Sequence, residues 1–320
     1  MNTSIVKIHH SSALPVISKR VQYFVNADMA DNSRKAYEIA WIDFTTYCSD
    51  RNIQPAPASP NDLAEYLVFC ADGGLRVSTI KLRIASISKY HSINNLPDPT
   101  KNGIIKSVMG GIKRKMYVRP NQKKPLSRAG LTRIVAGMPD NLTGVRNKAI
   151  ILIHWAGGFR RGELLDLNIN DLEFIDSGVK ILIRKSKTDQ SGHGFVKTIP
   201  FIKETDVCPV LALRNWIEKS GITDGPVFRK IDRWGKVGTK RLWSRIAADI
   251  IKRGVSSIGL DPKKYSGHSP RTGFVTESVE RGVDGLSIAA VTGQTLQTIA
   301  KYQRSAGVVA QQAIKKAFGE

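Results

Sequence analysis

Residues 171–201 read DLEFIDSGVKILIRKSKTDQSGHGFVKTIPF, and the period of their apolar residues decides the fold. They form three short strands joined by turns containing Gly and Ser, a small antiparallel sheet. On either side the period is helical. SRAGLTRIVAGM (127–138) and GVRNKAIILIHWAG (144–157) precede the sheet, and helices resume from CPVLALRNWIEKSG (208–221) to the end. Residues 127–320 therefore read as a mostly helical domain with one small sheet.

The first 116 residues read as helix throughout. NSRKAYEIAWIDFTTYC (32–48) sets Tyr37, Ala40, Trp41, Phe44 and Tyr47 on one face, behind Asn32 or Ser33 as cap. SPNDLAEYLVFC (59–70) opens with Ser59 as N-cap, Pro60 at the first helical position and Asp62 in a capping-box place. STIKLRIASISKYHSI (78–93) keeps Ile80, Ile84, Ile87 and His91 in register, and NGIIKSVMGGIKRKM (102–116) makes a fourth helix. These aromatic stripes are read as core rather than as base-stacking platforms. YVRPNQKKPLS (117–127), with two prolines and clustered cations, is an extended connector. The expected layout is a tail over 1–25, a helical domain over 26–116, a basic linker over 117–126 and a second domain over 127–320.

Charge narrows the function. The formal net charge is +22, and residues 101–148 hold twelve Lys or Arg against one acid, Asp140. Such an excess points to a polyanion, nucleic acid before membrane. Lys113, Arg114, Lys115, Arg119, Lys123 and Lys124 are the candidate phosphate contacts, the alternative being a solvated basic surface. No apolar run approaches the roughly 20 residues of a bilayer span, and the N-terminus lacks a signal-peptide pattern. Cys48, Cys70 and Cys208 fit neither a disulfide framework nor a CxxC site and read as buried thiols, so a cytoplasmic protein without a membrane partner is expected.

Four places concentrate side chains able to do chemistry. GGFRRGELLDL (157–167) sets Arg160 and Arg161 after a Gly-Gly turn with Glu163 following, and RKSKTDQSGHG (184–194) places Lys187 on a hairpin. SGHSPRTG (266–273) supplies His268 and Arg271, and TIAKYQR (298–304) presents Tyr302. Singly, each is ordinarily a solvated cation or a packed tyrosine. Together they make a phosphoryl-transfer set. Two arginines can grip both non-bridging oxygens of a phosphodiester. A tyrosine hydroxyl can attack phosphorus, and a lysine and a histidine can move the protons. The chemistry needs no cofactor, and no Asp/Glu cluster is present to hold Mg²⁺.

The order Arg…Lys…His-x-x-Arg…Tyr resembles the tyrosine recombinases, the phage-integrase family. GFRRGEL (158–164) resembles the family's first box, G-x-R-x-x-E-L, which assigns the catalytic arginine to Arg160 and the acidic position to Glu163. Lys187 in RKSKT matches the β-hairpin lysine, SGHSPR the second box with His268 and Arg271, and Tyr302 in KYQR the nucleophile. PNDLAEYLVFCADGGLRVSTIKLRIASISKYH (60–91) is similar to the core-binding domain of Cre-like members. The resemblance implies a mainly α protein with a small antiparallel sheet: a SAM-like helical core-binding domain followed by a catalytic domain. It implies a two-domain enzyme without an arm-binding domain, cytoplasmic and nucleoid-associated, from a prokaryotic cell, phage, plasmid or transposon.

The implied activity is site-specific recombination of double-stranded DNA. It runs through a 3′-phosphotyrosyl intermediate and a Holliday junction in a homo-tetramer, with monomer or dimer when free. The terminal stretch AGVVAQQAIKKAFGE (306–320), with Val308, Val309, Ile314 and Phe318 on one face, would be the helix exchanged between protomers. One position departs from the pattern. VTGQTLQTIAKY (291–302) has Gln294, eight residues before Tyr302, where the family has His or Trp at nine. Either one residue is missing from the turn or the glutamine amide replaces the usual donor. A type IB topoisomerase, a telomere resolvase and an inactive DNA-binding relative are the alternatives.

Overall fold

The computed structural model describes residues 20, 29–116, 122–184, 194–305 and 317–318. The expected N-terminal tail, apart from Arg20, lies outside the described residues, as do Arg119, Lys187, Val308, Val309 and Ile314. The chain divides into two compact units, Met1–Pro120 and Asn121–Glu320.

In the first unit the described residues form α1 (Asp31–Ser49), α2 (Pro60–Asp72), α3 (Val77–Ile93) and α4 (Gly103–Lys115). Phe44, Leu63, Tyr66, Leu67, Ile80 and Ile87 are fully buried between them. Phe44, Tyr47 and Tyr66 are core, whereas Phe69 is 50% exposed, and partly buried Trp41 stacks on Tyr90 with centroids 3.6 Å apart. Buried His91 accepts from the Ala58 amide at Nε2 (2.9 Å), so Nδ1 donates to Ile87 O at 2.8 Å. Ser59 caps α2, its Oγ accepting from Asp62 N at 3.0 Å. The start of α1 differs from the sequence expectation. Ala30 holds the cap position because the amides of Ser33 and Arg34 already donate to Ala30 O, and Asp31 in the first turn pairs with Arg34 at 2.9 Å.

The second unit begins in an extended segment whose apolar Leu126 is buried. There follow α5 (Arg128–Ala136), α6 (Leu142–Ala156) and the short α7 (Arg161–Leu165). The sheet is antiparallel in the order β1 (Leu172–Ile175), β2 (Gly178–Ile183), β3 (Phe195–Pro200). After it come α8 (Pro209–Ser220), β4 (Arg229–Ile231), β5 (Val237–Arg241), α9 (Ser244–Ser257), α10 (Ser269–Glu280), α11 (Gly285–Thr292) and α12 (Leu296–Ser305). The core runs along α6 (Ala149–Ile153) to Trp216 of α8, Phe159, Phe228 and the inward row Val179, Ile181 and Ile183 of β2.

The β4–β5 hairpin corrects the sequence reading, which carried helix from residue 208 to the end. Its strands are short, and RKIDRWGKVGTKR (229–241) is too polar for an apolar alternation to announce them. All three cysteines are buried and free. Among the described residues, no helix is long and apolar enough to cross a membrane.

Candidate active site

Three turns of the second unit meet. The first joins α6 to α7. Gly158 has φ +52°, and a Cβ on Gly157 would lie 2.1 Å from the Phe159 ring, so this turn requires both glycines. Fully buried Phe159 anchors it, and Arg160 follows as the residue capping α7. Glu163 fixes Arg160 twice: its Oε2 accepts from Arg160 N at 2.8 Å and its Oε1 from Arg160 Nη1 at 2.6 Å. The carboxylate is buried, whereas the Arg160 side chain is half-buried and keeps further donors.

The second turn opens α10. Ser266 and Ser269 brace it, Ser266 N donating to Ser269 Oγ at 2.9 Å and His268 N to Ser266 Oγ at 3.2 Å. Exposed His268 stands at the cap, Pro270 enters the first turn, and Arg271 is buried three residues on. Arg271 Nη1 donates to Gly158 O at 2.6 Å, which brings the two arginine turns together. Arg161 packs beside Gly267 in the same place.

The third turn joins α11 to α12. Gly293 ends α11 in the left-handed region, and Gln294 N donates to Thr292 Oγ1 at 3.3 Å. Gln294 Oε1 is buried without a hydrogen-bond partner. Tyr302, half-buried on α12, packs against the cluster of Val275, Val279, Ile288 and Ile299. It is an electrostatic neighbour of Arg271.

A family model described as the phage integrase family matches residues 124–307. Over 291 residues the chain is 33% identical to an integrase/recombinase XerD homologue of Selenomonas ruminantium, covering 89% of this chain and 84% of the relative. The chain belongs to the phage integrase family. The recombinase Cre of Escherichia phage P1 is 24% identical over 271 residues, 79% of this chain and 77% of Cre. Among solved structures, the Tn1549 transposon integrase in complex with transposon right-end DNA shares the fold. Its TM-score is 0.67 at 16% identity, over 94% of this chain and 98% of that one. So does the XerH site-specific recombinase bound to palindromic difH substrate, with a TM-score of 0.62 at 18% identity over 88% and 78%. The family's enzymes break and rejoin DNA.

In this recombinase the structure brings Arg160, Glu163 and Arg271 together, with Tyr302 near Arg271, exposed His268 at the start of α10 and Gln294 in the adjoining turn. Lys187 falls in the β2–β3 connection, outside the described residues. Lys113, Arg114 and Lys115 are exposed in the last turn of α4, where cations also suit the helix dipole. Lys123 and Lys124 are exposed but tethered: Lys123 Nζ donates to Lys263 O (2.6 Å) and Lys124 N to Lys264 O (2.7 Å). Among the described residues no group of three or more His, Cys, Asp or Glu is placed to hold a metal ion.

Two buried side chains beneath the site had escaped the sequence reading. Lys197 on β3 is 3% exposed, and its alternation with Ile199 is the signal that could have shown it facing inward. His154 on α6 is completely buried, and neither ring nitrogen has a hydrogen-bond partner. Burial, then the nearby His268, Arg271 and Arg161, pushes its pKa down to about 3, only partly opposed by the Phe159 backbone, so it is neutral under the cations. Burial and Arg160 lower the pKa of Arg271 to about 10 despite Glu163 and Tyr302. One buried carboxylate against this many cations leaves the site short of negative charge, which a phosphodiester supplies.

Proposed function

We propose that the second unit cuts and rejoins one DNA strand by transesterification at Tyr302. The observation that carries this reading is the convergence of Arg160 and Arg271 on the Gly157–Gly158 turn, with Tyr302 beside Arg271. The arginines hold the scissile phosphate's non-bridging oxygens and offset the charge that builds in the transition state. Tyr302 Oη attacks phosphorus and gives its proton to His268. A Tyr–O–P bond forms, the P–O5′ bond breaks, and Lys187 protonates the leaving 5′ oxygen. The 5′ hydroxyl of a partner duplex then attacks the 3′-phosphotyrosyl bond and returns the tyrosine, so phosphodiester bonds are conserved and no cofactor is consumed. Gln294 donates its amide to a phosphate oxygen in place of the family's His or Trp.

Paired strand exchange requires several protomers, and a homo-tetramer on DNA, assembled from monomers or dimers and passing through a Holliday junction, satisfies it. An apolar groove of about 270 Å³ supports this assembly; Leu131, Leu152, Trp155, Ile199, Phe274 and Val291 line it. The occupant this reading calls for is the terminal segment of a neighbouring copy, the stretch that carries Val308, Val309, Ile314 and Phe318. The first unit and the exposed β4–β5 hairpin, with Arg233 4.1 Å over the Trp234 ring, grip the flanking duplex.

The test begins with covalent complexes trapped on fragmented source DNA, whose attached ends give the site. Two duplexes carrying that site should exchange strands in EDTA. Relaxation of supercoiled plasmid without exchange would instead indicate a topoisomerase. Salt-sensitive binding with no covalent product would indicate a DNA-binding relative.

A further inference from the structure

Lys197 occupies a place where an apolar residue would complete the core. On β3 it pairs with Ile181 of β2, between the inward pairs Ile183–Phe195 and Val179–Ile199. Burying an ammonium costs several kcal/mol unless it is well partnered. Its partners are specific. Nζ donates to Gly157 O and to Val291 O, both at 2.6 Å, and sits 4.5 Å and 5.4 Å from the ring centroids of Phe159 and Phe195.

Neither carbonyl belongs to the sheet. Gly157 opens the turn that ends in Arg160, and Val291 lies in the last turn of the helix that leads through Gly293 to Gln294 and on to Tyr302. Arg271 takes the next carbonyl, Gly158 O, so cations from two other elements hold the Arg160 turn. Lys197 itself is too deeply buried to touch DNA.

From this geometry we infer that Lys197 is a positioning residue for strand cleavage. Its terminal amine, donating to both carbonyls, holds the Arg160 turn and the Gln294–Tyr302 turn in one register, so the phosphate-gripping arm and the nucleophile's arm are presented together. The inference rests on the recombinase reading of the site. The charged groups facing Lys197 are Glu163, which favours its protonated form, and Arg271 and Arg160, which oppose it. An apolar replacement fills the volume but leaves two buried carbonyls without a donor and lets the turns part.

The experiment uses the full chain as Lys197→Met and Lys197→Arg. Hydrogen exchange read by mass spectrometry should quicken in Lys197→Met in two separate segments, 155–160 and 291–296, with the rest of the second unit unchanged. On a duplex carrying the recovered site, formation of the Tyr302–DNA adduct should fall about 10- to 100-fold, the loss that a displacement of order 1 Å produces. DNA affinity should stay within a few fold. The defect should shrink on a duplex with a methylphosphonate at the scissile position, because a neutral phosphoryl group depends less on the Arg160 grip. Lys197→Arg, which keeps a cationic donor, should recover part of the rate.

Wild-type cleavage by Lys197→Met overturns the inference. So does an equal loss on both substrates with a lower melting temperature, which marks general destabilisation. Exchange that quickens only in β3 also overturns it. If the wild-type chain itself makes no adduct, the recombinase reading fails, and the exchange pattern still decides whether Lys197 couples the two turns.

Discussion

The first unit holds a half-buried arginine, Arg83, and the second a buried one beside the candidate site, Arg271, and the two are completed in opposite ways. In the first, Arg83 meets both carboxylate oxygens of Asp43 at 2.8 Å and Cys70 Sγ at 2.9 Å, and Tyr66 Oη donates to the same carboxylate at 2.6 Å. Burial opposes the charge on Arg83. The bond to Cys70 and the neighbouring Tyr66, Cys70 and Asp43 outweigh it and raise the pKa. In the second, Arg271 meets a neutral carbonyl and has Arg160 as a neighbour, and its pKa falls. The structural cation has its anion inside the fold. Arg271 has no such anion bonded to it in the fold, and on the proposed reading the substrate phosphate supplies it. Arg146, also buried and with its pKa lowered to about 10, shows that burial alone can shift an arginine away from the site.

The largest effect that sharpens this contrast is catalytic. Arg160→Ala or Arg271→Ala should lower adduct formation on the order of 10² to 10³-fold, as loss of an oxyanion donor does. Single-turnover assays at saturating protein would show it, and an undiminished rate would break the contrast. The next is structural. Asp43→Asn should weaken the first unit by about 1–2 kcal/mol, because Arg83 loses a charged partner that is itself part-exposed. Urea unfolding reads this, and the rate per folded molecule should not change.

A smaller effect is set by pH. Burial, with Arg271 and Arg160, lowers the Lys197 pKa from 10.5 to about 7 against the pull of Glu163. Between those values the unfolded chain holds the extra proton, so folded stability rises with pH across about 7 to 10.5. Lys197→Met should remove that slope, and parallel melting curves for wild type and variant would count against it. The smallest effect is on binding. Lys113→Ala or Lys124→Ala should each reduce the salt slope of DNA affinity by about 0.9, without altering chemistry.

The same contrast governs what the sequence made legible. Helical period placed α2, α3, α6 and α8, and the change to period 2 at 171–201 placed the three-stranded sheet, because each buries one face against a single core. The β4–β5 hairpin escaped because its strands carry cations and bury little. Arg160, Glu163, His268, Arg271 and Tyr302 stood out because their types suit phosphoryl transfer and their order resembles the phage-integrase family; the choice of Arg160 over Arg161, and of Glu163, rested on that resemblance. Lys197 did not, since a lysine in β3 reads as solvent-facing until the parity of Ile199 is followed. His154 left no trace, being in phase with an apolar helix. The contacts between Gly157, Gly158, Lys197, Arg271 and Val291 span distant segments, and spacing along the chain is silent about them.

The most direct test of the account is a search for a nucleotide adduct on the Tyr302 peptide. The protein is incubated with its source DNA, quenched in detergent, nuclease-digested and read by mass spectrometry beside Tyr302→Phe. The account predicts an adduct on Tyr302 that the variant lacks, formed in EDTA. Tight DNA binding with no adduct, or an adduct that persists in Tyr302→Phe, would contradict it.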